Sequence, residues 1–506
     1  MGIPFYFSNI TKSHPDIIKG QSHLTNTDYL FLDFNCAIHH CSNKIKTDAH
    51  YDIENHEELL IKECIIYIYK IMSQTIVNKL LYVSIDGVVP FAKMTQQRKR
   101  RYLSVWRNTK LNANAWDSNA ISPGTSFMSK LSDALEEFKG LNSCKYDIIV
   151  SDSGEPGEGE TKIFNYVSKE NITNQKIVIY GLDADLIMLS MLIGNKNTIY
   201  LMRESQFYRH HMDSDFLFMD IDLLKKELKT FIDSSLSNKL KNSIETYIVI
   251  CFLIGNDFVP SLSYLKIKNG SIDFIMHVLS QIVMDDEELI SYNSVAVKWE
   301  LNWILFSRLI NQLSNYEDND YAKCHEKYYS YTRRSGGGGA SVGEAEYYDN
   351  YGMYVKPDDT IRPQEDGWRS RYYKALFPPV KVDTVCRKYI EGIKWNIEYY
   401  FNKKCYTKWY YTFDYSPTLF DLNNFLIVND VNLIAHDDSE EYVTPAQHLM
   451  RILPKSSAHL LSEAQRASLD TFEYAKYFPI DFKIQTYMKQ YLHDCIPILP
   501  PMHLHE

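Results

Sequence analysis

The feature that most constrains this chain is a repeated unit. A short apolar stretch ends on or near an acid, and a helical pattern intervenes before the next. "YLFLDF" (29–34), "LLYVSID" (80–86), "YDIIVS" (146–151) and "KIVIYGLD" (176–183) read as buried strands bounded by turns. "HEELLIKECIIYIYKIMSQTIVNKL" (56–80) and "GTSFMSKLSDALEEFKGL" (124–141) read as helices between them. "SIETYIVICFLIGNDF" (243–258) reads as a buried helix running into a Gly-Asn-Asp turn. Strands alternating with helices predict an α/β core, a mainly parallel sheet flanked by helices.

The acids fall where such a sheet places ligands. Asp33, Asp86 and the pair Asp183/Asp185 sit at strand ends, and Asp257 ends "FLIGND". Open α/β sheets bind ligands outside the carboxyl ends of their strands. Glu158 and Glu160 add a pair from the loop "SDSGEPGEGETK" (151–162). If the backbone is extended, the i, i+2 spacing puts each pair on one side. Any one Asp is accounted for as a turn or cap residue. Their joint occurrence at successive element ends predicts one crevice. Seven carboxylates there require cations, and oxygen ligation without His or Cys suits two Mg²⁺ ions, with Mn²⁺ an alternative. Two such ions about 4 Å apart are the usual machinery for attack at a phosphodiester. Asp152 and Glu155 are expected to be solvated or peripheral.

A basic helix follows the second acidic strand. "KMTQQRKRRYLSVWRNTK" (93–110) contains seven Lys and Arg and no acid. Lys93, Gln97, Arg100 and Arg101 share one helical face, which suits a terminal phosphate. The remaining basic residues are expected on a solvated or nucleic-acid-backbone-tracking face.

Composition narrows the class. The net charge of −10 argues against a wholly basic nucleic-acid binder and leaves local basic patches open. The longest apolar runs are about half a membrane span, so no membrane partner is expected. Nine cysteines without a CxxC pair suggest free thiols in a reducing compartment. "CAIHHC", with Cys36, His39, His40 and Cys41, resembles half a zinc site, but no second pair at structural-zinc spacing follows.

Residues 1–315 are read as the core, 316–367 as a flexible polar linker containing Gly336–Gly339, and 368–506 as an aromatic, mostly helical second region. The four glycines fit a natural linker and an engineered junction equally well.

"FLDFNCAIHHCS", "IDGVVPFAKMTQQRKRRY", "ISPGTSFMSKL", "PGEGETKI", "YGLDADLIML" and "FLIGNDFVPSL" resemble, in order, motifs of the Xrn family of 5′→3′ exoribonucleases. "GWRSRYYKALF", "KWYYTFDYSP" and "LMRILPKSSAHLL" resemble that family's second region. Flap endonucleases share the acidic core at a greater distance. The resemblance implies a PIN/flap-nuclease-like core whose second region wraps the active site. It implies that Asp33, Asp86, Glu158, Glu160, Asp183, Asp185 and Asp257 hold metals. It also implies that Lys93, Gln97, Arg100 and Arg101 bind a 5′-monophosphate, and that His39 and Trp409 stack on the terminal base. The implied activity is processive, two-metal hydrolysis of 5′-monophosphorylated single-stranded RNA in mRNA decay. The implied setting is a cytoplasmic monomer acting downstream of decapping machinery. The chain reads as a compact form lacking the C-terminal modules of the long members. Three positions depart from the family pattern: Thr161 where His is usual, Thr407 where Trp is usual, and "FDYSP" for "YHYAP". A flap-type DNA nuclease and a catalytically silent RNA-binding scaffold are the competing readings.

Overall fold

The computed structural model describes residues 3, 5–20, 26–48, 51–110, 116–193, 196–205, 214–236, 241–335, 360–436, 441–471, 473–489 and 491–501. Its core is a seven-stranded sheet in the order β1-β7-β6-β5-β2-β3-β4. The strands are β1 (Ile18–Lys19), β2 (Asn26–Asp33), β3 (Ile76–Ser84), β4 (Asp147–Ser151), β5 (Lys176–Tyr180), β6 (Thr198–Glu204) and β7 (Phe216–Asp220). β2 to β6 pair in parallel, and β7 runs antiparallel to both β6 and β1. The expected parallel sheet is present, with an antiparallel edge added by β7 and the two-residue β1.

The helices are α1 (Tyr6–Ser13), α2 (Asn35–Ile45), α3 (His56–Met72), α4 (Phe91–Lys110), α5 (Ser126–Asn142), α6 (Gly159–Lys169), α7 (Ala184–Leu192), α8 (Ile221–Leu236) and α9 (Ser243–Leu253). The helix expected over 56–80 stops at Met72, because β-branched Thr75, Ile76 and Val77 favour the extended chain that becomes β3. Thr125 caps α5, accepting from the Met128 N–H.

Alternation along the strands builds two cores. Leu30 and Leu32 of β2 face one apolar cluster with residues of α2, α3 and α5. Phe31 faces the other, which continues through α7, α8 and α9 into Tyr389, Trp395 and Leu422 of the second region. The second region is therefore packed into the core of the sheet domain. Residues 317–335, expected within the linker, form a helix in which Glu317, Tyr321 and His325 are buried. Three acids in its first turn favour that helix end. Gly336–Gly339 lie outside the described residues. All nine cysteines are unpaired. Among the described residues no helix is long and apolar enough to cross a membrane.

Candidate active site

The chain runs outward from β2 in both directions, so the crevice opens at the carboxyl ends of β2 and β5. Asp33 ends β2 there, Asp183 follows β5, and Asp86 follows β3. Asp257 enters from the turn after α9, where Gly255 has φ +90° and a Cβ would meet Ser261 N at 2.4 Å.

The two acidic pairs are built alike. Glu158 and Asp183 are the N-cap residues of α6 and α7, and Glu160 and Asp185 lie in the first turns. Only the first member of each pair has extended backbone, so the all-extended geometry expected from the spacing is not adopted. Helix N-termini take its place, and their unpaired N–H groups and dipole favour anions.

Glycines let the acids approach. A Cβ on Gly159 would stand 2.5 Å from Asp33 Oδ1 and 3.4 Å from Asp86 Oδ1. The Gly159 N–H donates to Asp86 Oδ1 at 2.7 Å. A Cβ on Gly87 would overlap the Glu155 carbonyl at 1.7 Å. The Gly87 N–H donates to the Gly157 carbonyl, and the Gly157 N–H to the Val88 carbonyl. This ladder fixes the acidic loop against the strand end. Lys162 Nζ straps it further by donating to the Ile85 and Asp152 carbonyls, each at 2.7 Å. The other two loop acids serve the loop itself: Asp152 accepts from the Gly154 N–H and Glu155 from Ser151 Oγ.

Burial raises the pKa of Asp33, Glu158 and Glu160. Burial and the nearby Asp257 raise Asp185 to about 7. Lys93 Nζ supplies the main compensation, at 2.5 Å from Glu158 Oε2 and 2.8 Å from Asp257 Oδ2. Burial pushes Asp257 upward, but the Lys93 ammonium overrides it and holds Asp257 below the ordinary range. Asp185 Oδ1 is buried without a hydrogen-bond partner. These donors are all oxygen, buried and short of positive charge, which fits hard divalent cations. Among the described residues, no group of three or more His, Cys, Asp or Glu side chains is arranged so that it could hold a metal ion as it stands.

α4 runs beside the cluster. Arg101 donates to Ser122 Oγ at 2.7 Å, and its Nε is buried without a partner. Burial and the adjacent Arg100 lower its pKa to about 9. Gln97 Oε1 is likewise buried and unpartnered, and Arg100 is exposed. Lys93, expected with them, turns its ammonium to the carboxylates. Arg98, expected on a solvated face, is buried and donates to the Tyr477 and Pro500 carbonyls. It pins the C-terminal segment to α4.

His39 is exposed on α2, and desolvation by the surrounding protein, with Arg100 and Arg101 nearby, disfavours its charged form. The neutral imidazole has a face to offer beside the cationic helix. Trp409 is placed differently. It is 9% exposed, stacks on Trp395 at 5.6 Å, and donates its indole N–H to Glu391. Little ring surface is left for a base. Trp395 stacks on Tyr399 at 4.7 Å, and the Tyr399 hydroxyl donates to Glu158 Oε1 at 2.8 Å. Trp409 is thus the far end of an aromatic ladder that braces a carboxylate.

Tyr399 was not legible as a site residue. It lies in a π-turn, Glu398–Asn402, where one extra residue re-aims the side chains. Its hydroxyl also meets Thr161 Oγ1 at 2.6 Å. The neighbouring Tyr400 hydroxyl is buried and unpartnered, and burial with Asp185 close by raises its pKa.

A mainly parallel sheet with carboxylates at its switch point and a cationic helix alongside defines an α/β protein with an acidic site closed by a helical region. Family comparisons narrow this. The model described as the XRN 5′-3′ exonuclease N-terminus matches residues 1–205, and the Xrn1 helical domain matches 237–337 and 343–504. The chain belongs to the Xrn family of 5′-3′ exonucleases. It is 23% identical to a Drosophila melanogaster 5′-3′ exoribonuclease 2 homolog, over 99% of this chain and 69% of that protein. It is 24% identical to Homo sapiens 5′-3′ exoribonuclease 1, over 99% of this chain and 33% of that protein. Against Saccharomyces cerevisiae 5′-3′ exoribonuclease 1 it is 30% identical, over 64% of this chain and 23% of that protein. The catalytic core of Rad2 in complex with DNA substrate overlaps 54% of the chain at 14% identity and a TM-score of 0.30. The helical-domain match begins at 237, inside the range assigned to the core from sequence.

Proposed function

We propose that this chain is a 5′→3′ exoribonuclease that degrades 5′-monophosphorylated single-stranded RNA processively to nucleoside 5′-monophosphates, in mRNA decay. The observation that carries the reading is the cationic face of α4 set beside four buried carboxylates, Asp33, Glu158, Glu160 and Asp185, and three half-buried ones, Asp86, Asp183 and Asp257, at the carboxyl ends of the strands. The assigned ligands are Asp33, Asp86, Glu158, Glu160, Asp183, Asp185 and Asp257. Two Mg²⁺ ions, or Mn²⁺, held by them would supply Lewis-acid stabilisation of charge at the scissile phosphate.

The protein's own groups do the rest. Arg101, Arg100 and Gln97 receive the 5′-phosphate, and a guanidinium with an unpartnered N–H is suited to it. Lys93 balances Glu158 and Asp257 and holds them in place. His39 stacks on the first base without reading its identity. The second region closes the crevice, orients Glu158 through Tyr399, and limits entry to a single strand. Such a pocket excludes a cap or triphosphate by size. RNA supplied by decapping and a cytoplasmic location belong to the same proposal.

The test is one 3′-labelled RNA bearing a 5′-monophosphate, hydroxyl, triphosphate or cap, incubated with protein and Mg²⁺. Asp185→Ala and EDTA serve as controls. Loss of the monophosphate RNA alone, with mononucleotide release and inert controls, supports the proposal. Internal cuts, or equal cleavage of all four, would favour a flap-type nuclease. RNA binding without cleavage would favour a scaffold.

A further inference from the structure

Behind α4 lies a second chamber, of about 410 Å³. That lies within the roughly 300–1,000 Å³ typical of small-ligand sites. Asp257 belongs both to the carboxylate cluster and to this chamber's wall, so the chamber begins where the cluster ends. The cationic helix contributes Lys99 and Arg100. The loop after α9 contributes Lys266, and the C-terminal segment contributes Lys489.

The chamber's cations are unequally paired. Lys99 is paired with Asp414. Lys266 and Lys489 make no ion pair among the described residues, although each is half-buried and they come from distant parts of the chain. Asp494 and Asp414 are the acids whose charges reach them, and neither forms an ion pair with either lysine: Asp414 pairs with Lys99 and Asp494 meets His493. Burial, reinforced by Lys489, lowers the pKa of Lys266 to about 8. Two ammonium groups on one chamber wall with no ion-paired carboxylate are a site for an anion. Around them the wall is aromatic: Tyr264, Tyr372, Tyr411 and Tyr487 are packed into the core, and Phe413 and Tyr415 are half-buried. Aromatic faces accept any base, and paired lysines accept a phosphate.

We infer that this chamber binds a phosphate-bearing mononucleotide, its phosphate at Lys266 and Lys489 and its base against Phe413 and Tyr415. It is then a way-station for the reaction's product, a role that rests on the function proposed above. The shared chemistry is a phosphoryl group, and free phosphate is the other source of it.

The test is calorimetric binding of 5′-AMP to the full chain in EDTA, without RNA or turnover. Wild type, the double variant Lys266→Met/Lys489→Met and Arg101→Ala are compared, with adenosine and inorganic phosphate as separate arms. A saturable 5′-AMP class weakened at least tenfold in the double variant and retained in Arg101→Ala supports the site. Adenosine should bind more weakly than 5′-AMP. Inorganic phosphate binding as tightly as 5′-AMP would overturn the nucleotide assignment. A class lost only in Arg101→Ala, or indifferent to both lysines, would overturn the site. Photolabelling of wild type with 8-azido-AMP is independent of how the variants fold. Label within 411–415 or 487–497 supports the site, and label confined to the peptide around His39 overturns it. Failure of the RNA assay with lysine-dependent 5′-AMP binding intact would remove the product role and leave the site.

Discussion

The Tyr399 hydroxyl, on a helical turn of the second region, donates to Glu158 Oε1 in the sheet domain at 2.8 Å. The contact crosses 241 residues of sequence and ties the closing region to a proposed metal ligand. Carboxylates oriented by such a partner lose roughly 10–100-fold in metal affinity or activity when it is removed. Tyr399→Phe should therefore raise the Mn²⁺ concentration needed for half-maximal activity and for thermal stabilisation. The aromatic ladder from Trp409 remains intact in that variant, so the metal-free melting temperature should move little. A large fall in metal-free stability with unchanged Mn²⁺ dependence would assign Tyr399 to packing alone.

Gly159 separates fold from function more sharply. An alanine there suits the first turn of α6, where Ala exceeds Gly in helix propensity by about 1 kcal/mol. Its Cβ, however, would require the Asp33 carboxylate to swing away from 2.5 Å. Gly159→Ala should keep or slightly raise the melting temperature and lose RNA hydrolysis by roughly 100-fold or more, the scale of one misplaced preorganised group. Retained activity in a folded variant would show that Asp33 has room to move.

The sheet was legible because its strands are apolar, short and closed by turn signals, and because acids mark their ends. Strand ends are also where the topology puts ligands, so one pattern carried both fold and site. β6 and β7 escaped although "TIYLMRE" and "FLFMD" also end on acids, because apolar runs this short do not separate a strand from a helix segment. The helix over 317–335 was hidden by its polarity, which reads as linker until Tyr321 and His325 find a core. Lys93 and Gln97 share a helical face, yet side-chain length lets Lys93 reach the acids instead. Tyr399 depends on a π-turn and a contact between distant segments, neither of which periodicity reveals.

Arg101 tests the phosphate gate. Its Nε has no partner, and it makes no ion pair among the described residues. Arg101→Ala should reduce the preference for 5′-monophosphate over 5′-hydroxyl RNA by about tenfold or more, chiefly through KM for the phosphorylated RNA. The value rests on roughly 1.5–3 kcal/mol for a hydrogen bond to a charged group. Equal losses on both RNAs would place Arg101 in general RNA binding.

Metal dependence should also appear as stability. Asp185 is buried, lies near Asp257, and has an unpartnered oxygen. Without cations its charge is unfavourable, so metal-free Asp185→Asn should melt higher than metal-free wild type. Mg²⁺ binding to the native state raises wild-type stability by mass action and should raise the variant less. The order of the two melting temperatures is expected to reverse at saturating Mg²⁺. The same order with and without Mg²⁺ would argue against Asp185 as a ligand.

His448 supplies a pH signature beside the phosphate helix. It is fully buried, both ring nitrogens lack partners, and burial, with Arg101 and Arg451 nearby, lowers its pKa from 6.5 to about 3. The unfolded chain therefore binds a proton between those values that the folded chain refuses. Stability from this residue is fully present above pH 6.5 and is lost as pH falls toward 3. The loss is on the order of 3 kcal/mol by pH 4. The buried carboxylates with raised pKa change in the opposite sense, so wild type alone is not diagnostic. The comparison is wild type against His448→Leu by thermal melting across pH 7.5 to 4. The variant should gain a growing advantage below pH 6.5, and a constant difference across the range would show that His448 is protonated in the fold.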